Sequence, residues 1–307
     1  MFKSTFLKMD SFKSTFSIKD LENLTGIKAH TIRIWEKRYN LLDPERTDTN
    51  IRYYDLNSLK RLLNISYLNE NGYKISKIAA LSKEEASQLV KKVAVSDDTN
   101  NHALNLLKLS MLNFDQQLFQ NTYQKLLKQM DFSQIFHEVF VPLLSDIGIL
   151  WQTDTITPAH EHFISTLIRQ KIVYNTEKFQ LKNQIGSDEV FVLFLPDNEI
   201  HELGLMQVNY EIVSRGKYTI MLGPSVPIIN LMDVMQHYKQ ITFISYFTIK
   251  PEFEELPMYL EEFEHNLLKN TNNQLWIAGK QLQHFDTKSL SKKIKTFRSI
   301  KDIVKEL

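Results

Sequence analysis

From about residue 190 the period of the hydrophobic pattern changes, and that change constrains the fold more than any other feature. Residues 190–195, 218–222, 241–246 and 274–278 are short, nearly continuous apolar runs. Helix-period segments near 204–214, 228–237 and 252–270 separate them. Runs of this length suit strands buried on both faces, and strands that alternate with helices close as a parallel sheet covered on both sides. The expectation is a doubly wound, Rossmann-like sheet over 187–307, with a weaker fifth unit from 294–297 and 300–306.

Upstream the pattern is helical. Residues 102–112, 114–130, 132–150 and 158–180 have the number and lengths of a four-helix bundle, placed at 100–183. Polar stretches at 96–101 and 184–188 bound it. Before it, over 17–95, Ser17 and Asp20 form a capping signal, Ile18, Leu21 and Leu24 give an apolar face, and Thr25-Gly26 ends the helix. A second helix over 28–39 turns Ile32 and Trp35 inward and leaves His30, Thr31, Arg33, Lys37 and Arg38 outside. Two short helices across a glycine turn, the second basic, carry the helix-turn-helix signature. The turn-rich 43–50 stretch and Ile51-Arg52-Tyr53-Tyr54 read as a small hairpin, a wing, with one tyrosine packed beneath it. Helices over 55–69 and from Ile75 follow. Residues 1–16, in which Phe-Lys-Ser-Thr-Phe occurs at 2–6 and 12–16, read as a disordered tail. The fold class is therefore multidomain, α plus α/β.

Composition narrows the chemistry. Thirty-seven Lys and Arg balance thirty-six Asp and Glu, a net charge of +1. Any nucleic-acid contact must then come from a local basic face. The absence of cysteine excludes disulfides, thiolate metal sites and a cysteine nucleophile. His137, His160 and His237 match no ligand spacing, so no zinc site is expected. With no signal peptide and no long apolar run, the chain reads as soluble and cytoplasmic, with no membrane partner.

The residues Thr25-Gly26-Ile27, Thr31-Ile32-Arg33-Ile34-Trp35-Glu36-Lys37-Arg38-Tyr39, Pro44-Glu45-Arg46-Thr47 and Arg52-Tyr53-Tyr54 closely resemble the DNA-binding domain of MerR-family transcription regulators. The resemblance implies that the second helix enters the major groove with Thr31, Arg33, Lys37 and Arg38. Arg46, Arg52 and Tyr53 of the wing would reach phosphates or the minor groove. It also implies a palindromic double-stranded DNA operator and a homo-oligomeric reader, a dimer or tetramer.

Two motifs in the remainder resemble the light-responsive branch of that family, which carries a C-terminal cobalamin-binding domain. Trp151, followed after nine residues by Glu161-His162 and then Ser165 and Arg169, resembles the helical cap of those proteins. The resemblance implies that Trp151 packs over the upper corrin face and that Glu161 and His162 lie near the adenosyl group. Where these light regulators have a histidine directly after the Trp, this chain has Gln152, which removes the side chain that the resemblance assigns to light-adapted cobalt ligation. Glu199-x-His201-x-x-Gly204 resembles the signature of cobalamin-binding Rossmann domains. A loop at the carboxyl end of a parallel strand is where such sheets bind ligands, so His201 can offer an imidazole nitrogen to the cobalt of cobalamin. Glu199 would hold the other ring nitrogen, and Gly204 would let the next helix start close to the cofactor tail. Ser225 is the candidate beside the nucleotide base. Gly279 stands alone where the family has paired glycines.

What the resemblance implies is a repressor whose oligomerisation and operator binding are controlled by cobalamin, favoured as adenosylcobalamin, with light as the signal. Two other readings stay open: a regulator whose sensor half works through protein contacts without the vitamin, and a cobalamin-dependent methyltransferase or mutase subunit. The last lacks a substrate-activating domain such as a barrel, and no catalytic residue is assigned.

Overall fold

The computed structural model describes residues 15–47, 49–93, 100–152, 156–180, 189–283, 285–287 and 290–307. They fall into two compact units, Met1–Thr166 and Leu167–Leu307. The expected tail up to residue 14, and most of the polar stretches read as boundaries, lie outside the described residues.

The first unit opens with β1 (Thr15–Ser17), α1 (Ile18–Thr25), α2 (Ala29–Tyr39), β2 (Glu45–Arg46) and β3 (Arg52–Asp55). Ser17 and Asp20 close a reciprocal capping box, and Gly26 ends α1 at φ 74°. The strands form an antiparallel sheet in the order β1-β3-β2. β1 corrects the reading of 1–16 as a tail: Phe16 pairs with Tyr54 and is 1% exposed. A three-residue strand is too short to show a period. Next come α3 (Leu56–Glu70), α4 (Ile75–Ala79) and α5 (Lys83–Val93). Asp55 caps α3, accepting from the Ser58 amide at 2.8 Å, while Leu59, Leu62 and Leu63 are buried.

The bundle helices are α6 (Asn100–Asn113), α7 (Gln116–Leu126), α8 (Phe132–Ile135), α9 (Val141–Gln152) and α10 (Pro158–Gln180). A π turn, Phe136–Phe140, joins α8 to α9. The border between the two units falls within α10. Phe119, Phe136 and Phe140 stack and cross at ring separations of 6.2 and 6.4 Å. Inside this unit the bundle grips the helices before it. Lys108 on α6, 7% exposed, places its ammonium 2.7 Å from Asp146 Oδ2 on α9 and donates to the Leu24 carbonyl of α1 at 3.2 Å. One turn-pair earlier, His102 Nε2 lies 3.3 Å from Glu70 Oε2, and its ring meets Tyr67 edge-on at 5.5 Å.

The second unit carries β4 (Glu189–Phe194), α11 (Leu203–Ser214), β5 (Thr219–Gly223), α12 (Met232–Met235), β6 (Gln240–Tyr246), α13 (Leu256–Phe263), β7 (Gln274–Ala278), β8 (Ile294–Phe297) and α14 (Ile300–Glu306). The five strands are parallel, in the order β5-β4-β6-β7-β8. Residues alternate between two apolar layers, as a sheet covered on both faces requires. Val190, Val192, Phe194 and Phe243 pack with Leu256, Leu260 and Phe263 on one side. On the other, Phe191, Leu193 and Trp276 pack with Leu205, Val208 and Ile303. Two helices are shorter than expected. Residues 228–231 form a 3-10 turn, leaving α12 a single turn. Over 252–270 the α-helix begins only at Leu256 and ends in the π turn Glu264–Leu268. Among the described residues no helix is long and apolar enough to cross a membrane.

Candidate functional site

Helix α2 exposes Arg33, Lys37 and Arg38 on one side, with the Arg38 guanidinium 5.3 Å from the Tyr39 ring centroid. Thr31 is half-buried, its hydroxyl 3.3 Å from His30 Nε2. Ile32 faces inward as expected, whereas Trp35 is only half-buried. The wing side chains are engaged within the chain. Arg46 donates to Asn50 Oδ1 at 2.6 Å, and Tyr53 donates its hydroxyl to Glu45 Oε2 at 2.6 Å. Arg52 Nε lies 3.3 Å from Glu36 Oε2.

Glu36 is the residue that sequence reasoning missed here. Its other oxygen accepts the hydroxyl of buried Tyr54, so one carboxylate on α2 engages two alternate residues of β3, Arg52 and Tyr54. Burial, and then the Glu36 hydrogen bond, push the Tyr54 hydroxyl well above the usual tyrosine range, so it stays a donor. The only signal was an acid set among the cations of α2. Glu36→Gln is expected to destabilise the first unit by about 1–2 kcal/mol. It should also weaken DNA binding, because the wing loses its fixed angle to α2. Urea denaturation beside an electrophoretic mobility shift checks both, and a wild-type denaturation midpoint would refute the role.

The second candidate lies at the carboxyl edge of the parallel sheet. Chain order reverses between β4 and β6, which are neighbours while β5 lies on the far side of β4. In open α/β sheets ligands bind at such a reversal of strand order. Glu199, in the loop after β4, is 0% exposed and bridges to the loop after β6. Its Oε1 accepts from the amides of Ile200 and His201 at 2.9 and 3.0 Å and faces His201 Nδ1 at 2.6 Å. Its Oε2 accepts from the amides of Thr248, Ile249 and Lys250, after β6, at 3.1, 2.6 and 3.0 Å. Burial alone would raise this carboxyl, but the bonds from His201 and from the amides of Ile249, Lys250 and His201 outweigh it and hold the group down to about 2.

A carboxylate only accepts, so His201 carries its proton on Nδ1 and Nε2 is the nitrogen that can bind a metal. This is the donor set a cobalt site asks for: a half-exposed imidazole with a buried acid fixing its tautomer. Ser225, at φ 55°, donates to Asp197 Oδ1 at 2.8 Å and accepts from the Asn198 amide at 3.1 Å. It thereby ties the loop after β5 to the loop of Glu199. The room left by the two glycines is used by the protein itself. A β-carbon on Gly204 would lie 3.0 Å from Ile300 Cδ1, and one on Gly279 only 2.2 Å from the Phe247 carbonyl oxygen.

In the first unit Glu161 Oε2 and His162 Nδ1 pair with each other at 2.8 Å. The Trp151 and Gln152 side chains lie outside what is described. In the second, Arg169 pairs with Glu202 at 3.1 Å. Sequence reasoning set aside His160, whose ring is buried against Phe114 at 4.6 Å and whose Nδ1 lies 2.9 Å from the Thr157 hydroxyl. Burial, with Lys60 adding to it, lowers its pKa. Its spacing carried no motif. Among the described residues no group of three or more His, Asp or Glu side chains converges on a metal position.

Comparison with known proteins bears on the helix-turn-helix and on the helical bundle. Residues 16–85 match the MerR HTH family regulatory protein model, and residues 103–174 match the B12 binding domain model. The HTH-type transcriptional repressor CarH of Myxococcus xanthus is 30% identical over 220 residues, 69% of this chain and 72% of that protein. The HTH-type transcriptional repressor CarA of the same organism is 24% identical over 218 residues, 69% of each chain. Among solved structures, the monomethylamine corrinoid protein of Methanosarcina barkeri shares the fold with a TM-score of 0.52 at 11% identity, covering 68% of this chain and 98% of that one. The chain belongs to the MerR family of transcription regulators, in the branch that joins a MerR helix-turn-helix to a B12 binding domain and includes CarH.

Proposed function

We propose that this regulator represses transcription by occupying a palindromic operator as an oligomer, and that cobalamin held through His201 controls its oligomeric state and hence that occupancy. The observation that carries the proposal is the Glu199–His201 pair at 2.6 Å, at the topological switch point of the sheet. Glu199 orients the imidazole and raises the basicity of Nε2, the work of a carboxylate behind a metal-bound histidine. Trp151, Glu161 and His162 are the cap residues of this proposal. Arg33, Lys37 and Arg38 meet DNA from α2, with Thr31 beside them, and Arg46, Arg52 and Tyr53 act from the wing. Adenosylcobalamin, the form that the sequence motifs favour, would supply a light-labile cobalt–carbon bond when bound.

Purified protein is mixed with adenosylcobalamin in the dark and desalted. Its absorption spectrum and elution volume are then recorded before and after illumination. The expected result is a corrinoid spectrum that stays with the protein and an oligomer that changes on illumination. Complete loss of the corrinoid on desalting would sink the proposal.

A second reading is favoured by Ser225, Gly204 and Gly279, whose polar atoms or open space are already taken by Asp197, Ile300 and Phe247. In it the sensor half acts through protein contacts without the vitamin. His201→Ala separates the two. Unchanged repression and an unchanged oligomer favour the cofactor-free sensor, and loss of corrinoid retention together with altered repression favours the first reading.

A further inference from the structure

The exposed positions along α2 are His30, Arg33, Ile34, Lys37 and Arg38. They follow the i, i+3, i+4, i+7, i+8 rhythm of one helix face. Four of the five are basic side chains, which suits a surface that meets a polyanion. The fifth, at the centre of the stripe, is Ile34, 54% exposed. Helix formation does not call for isoleucine there, since a β-branched residue is a poorer choice than Ala, Arg or Lys at an exposed helical position.

We infer that Ile34 reads the 5-methyl group of a thymine in the major groove. The inference rests on the proposed role of α2 as the recognition helix. In that setting the middle of the exposed stripe faces base edges, and the cations toward the end of the helix, Lys37 and Arg38, reach phosphates. Among the groups on major-groove base edges the thymine methyl is the apolar one. The others are hydrogen-bond donors and acceptors, which would lose water against Ile34 and gain no partner. Cytosine is disfavoured at that position because it presents an amino donor and no methyl. Ile34 therefore acts as a specificity-determining residue beside Arg33, which can pair with an adjacent base or phosphate.

The test uses the full-length protein and a duplex enriched from a randomised pool by the wild type. Each thymine is replaced in turn by uracil, which pairs identically and lacks only the methyl group. Burying one such group corresponds to about a fourfold change in affinity. The expected result is a loss of that size at one thymine of the repeated element for the wild type, and equal affinity for thymine and uracil there for Ile34→Ala. Ile34→Val should keep part of the preference. The inference is overturned if Ile34→Ala retains the full uracil penalty at every position, or if the wild type shows no penalty anywhere. An altered oligomer with unchanged base preference would also overturn it, by making the face a protein contact. If the wild type enriches no sequence at all, the reading of α2 as a DNA reader fails with it.

Discussion

Glu199→Ala is expected to cost the second unit about 3–5 kcal/mol and to abolish corrinoid retention. The carboxylate accepts from five backbone amides drawn from two loops and from His201. Removing it deprives those donors of their shared acceptor, and the imidazole loses its tautomeric control. Urea denaturation followed by circular dichroism gives the first quantity, and desalting after incubation with adenosylcobalamin gives the second. A loss below about 1 kcal/mol would show that other contacts hold the loops.

The same group ties stability to pH. Its carboxyl is lowered from 4.5 to about 2 in the fold. The stabilisation it brings is therefore complete above about pH 4.5 and is lost as the pH falls toward 2. The shift corresponds to roughly 3 kcal/mol. Glu199→Gln, which cannot ionise, should flatten that stretch of the acid profile while leaving the rest unchanged.

Gly279→Ala is the second large effect, again about 3–5 kcal/mol, or roughly 10 °C in the melting temperature of the second unit. Gly279 sits at φ 132°, a conformation that side chains resist, and the added carbon would stand 2.2 Å from a backbone oxygen that is itself fixed. Phe247 cannot yield, because its amide donates to the Ala278 carbonyl at 2.8 Å and its carbonyl accepts from the Gln281 amide at 3.2 Å. Gly204→Ala is the contrasting case. Its neighbour at 3.0 Å is the mobile end of Ile300, so the cost should be about 1 kcal/mol. Thermal melts of the two variants side by side check the contrast, and equal melting points would refute it.

The elements that were legible in the sequence are those in which a period repeats. The β4, β6 and β7 runs and the four long helical stretches announced themselves through apolar spacing, and the Ser17–Asp20 capping box through local chemistry. What escaped was non-local or carried by backbone. Tyr54 is eighteen positions from Glu36, and no local pattern links an acid on a helix to a strand that returns beneath it. The amides of Thr248, Ile249 and Lys250 have no side-chain signature, so the motif disclosed Glu199 and His201 but not the loop after β6 that Glu199 ties down. Gly204 and Gly279 were visible as glycines, while what fills the space beside them depends on residues 96 and 32 positions away in the chain.

Lys108 bears on how regulators of this kind are assembled in evolution. The polar stretch between α5 and α6 looks like a natural place for genes to recombine, exchanging one reader for another. Yet the ammonium of Lys108 is buried between an acid on α9 and the Leu24 carbonyl of α1. An incoming reader without a carbonyl at that spot would leave a dehydrated cation short of partners, a defect that breaks folds more readily than a lost surface contact. On this chemistry a reader exchanged into the chain has to bring a carbonyl to the place of Leu24, whereas changes on the exposed face of α2 leave the Lys108 contacts untouched.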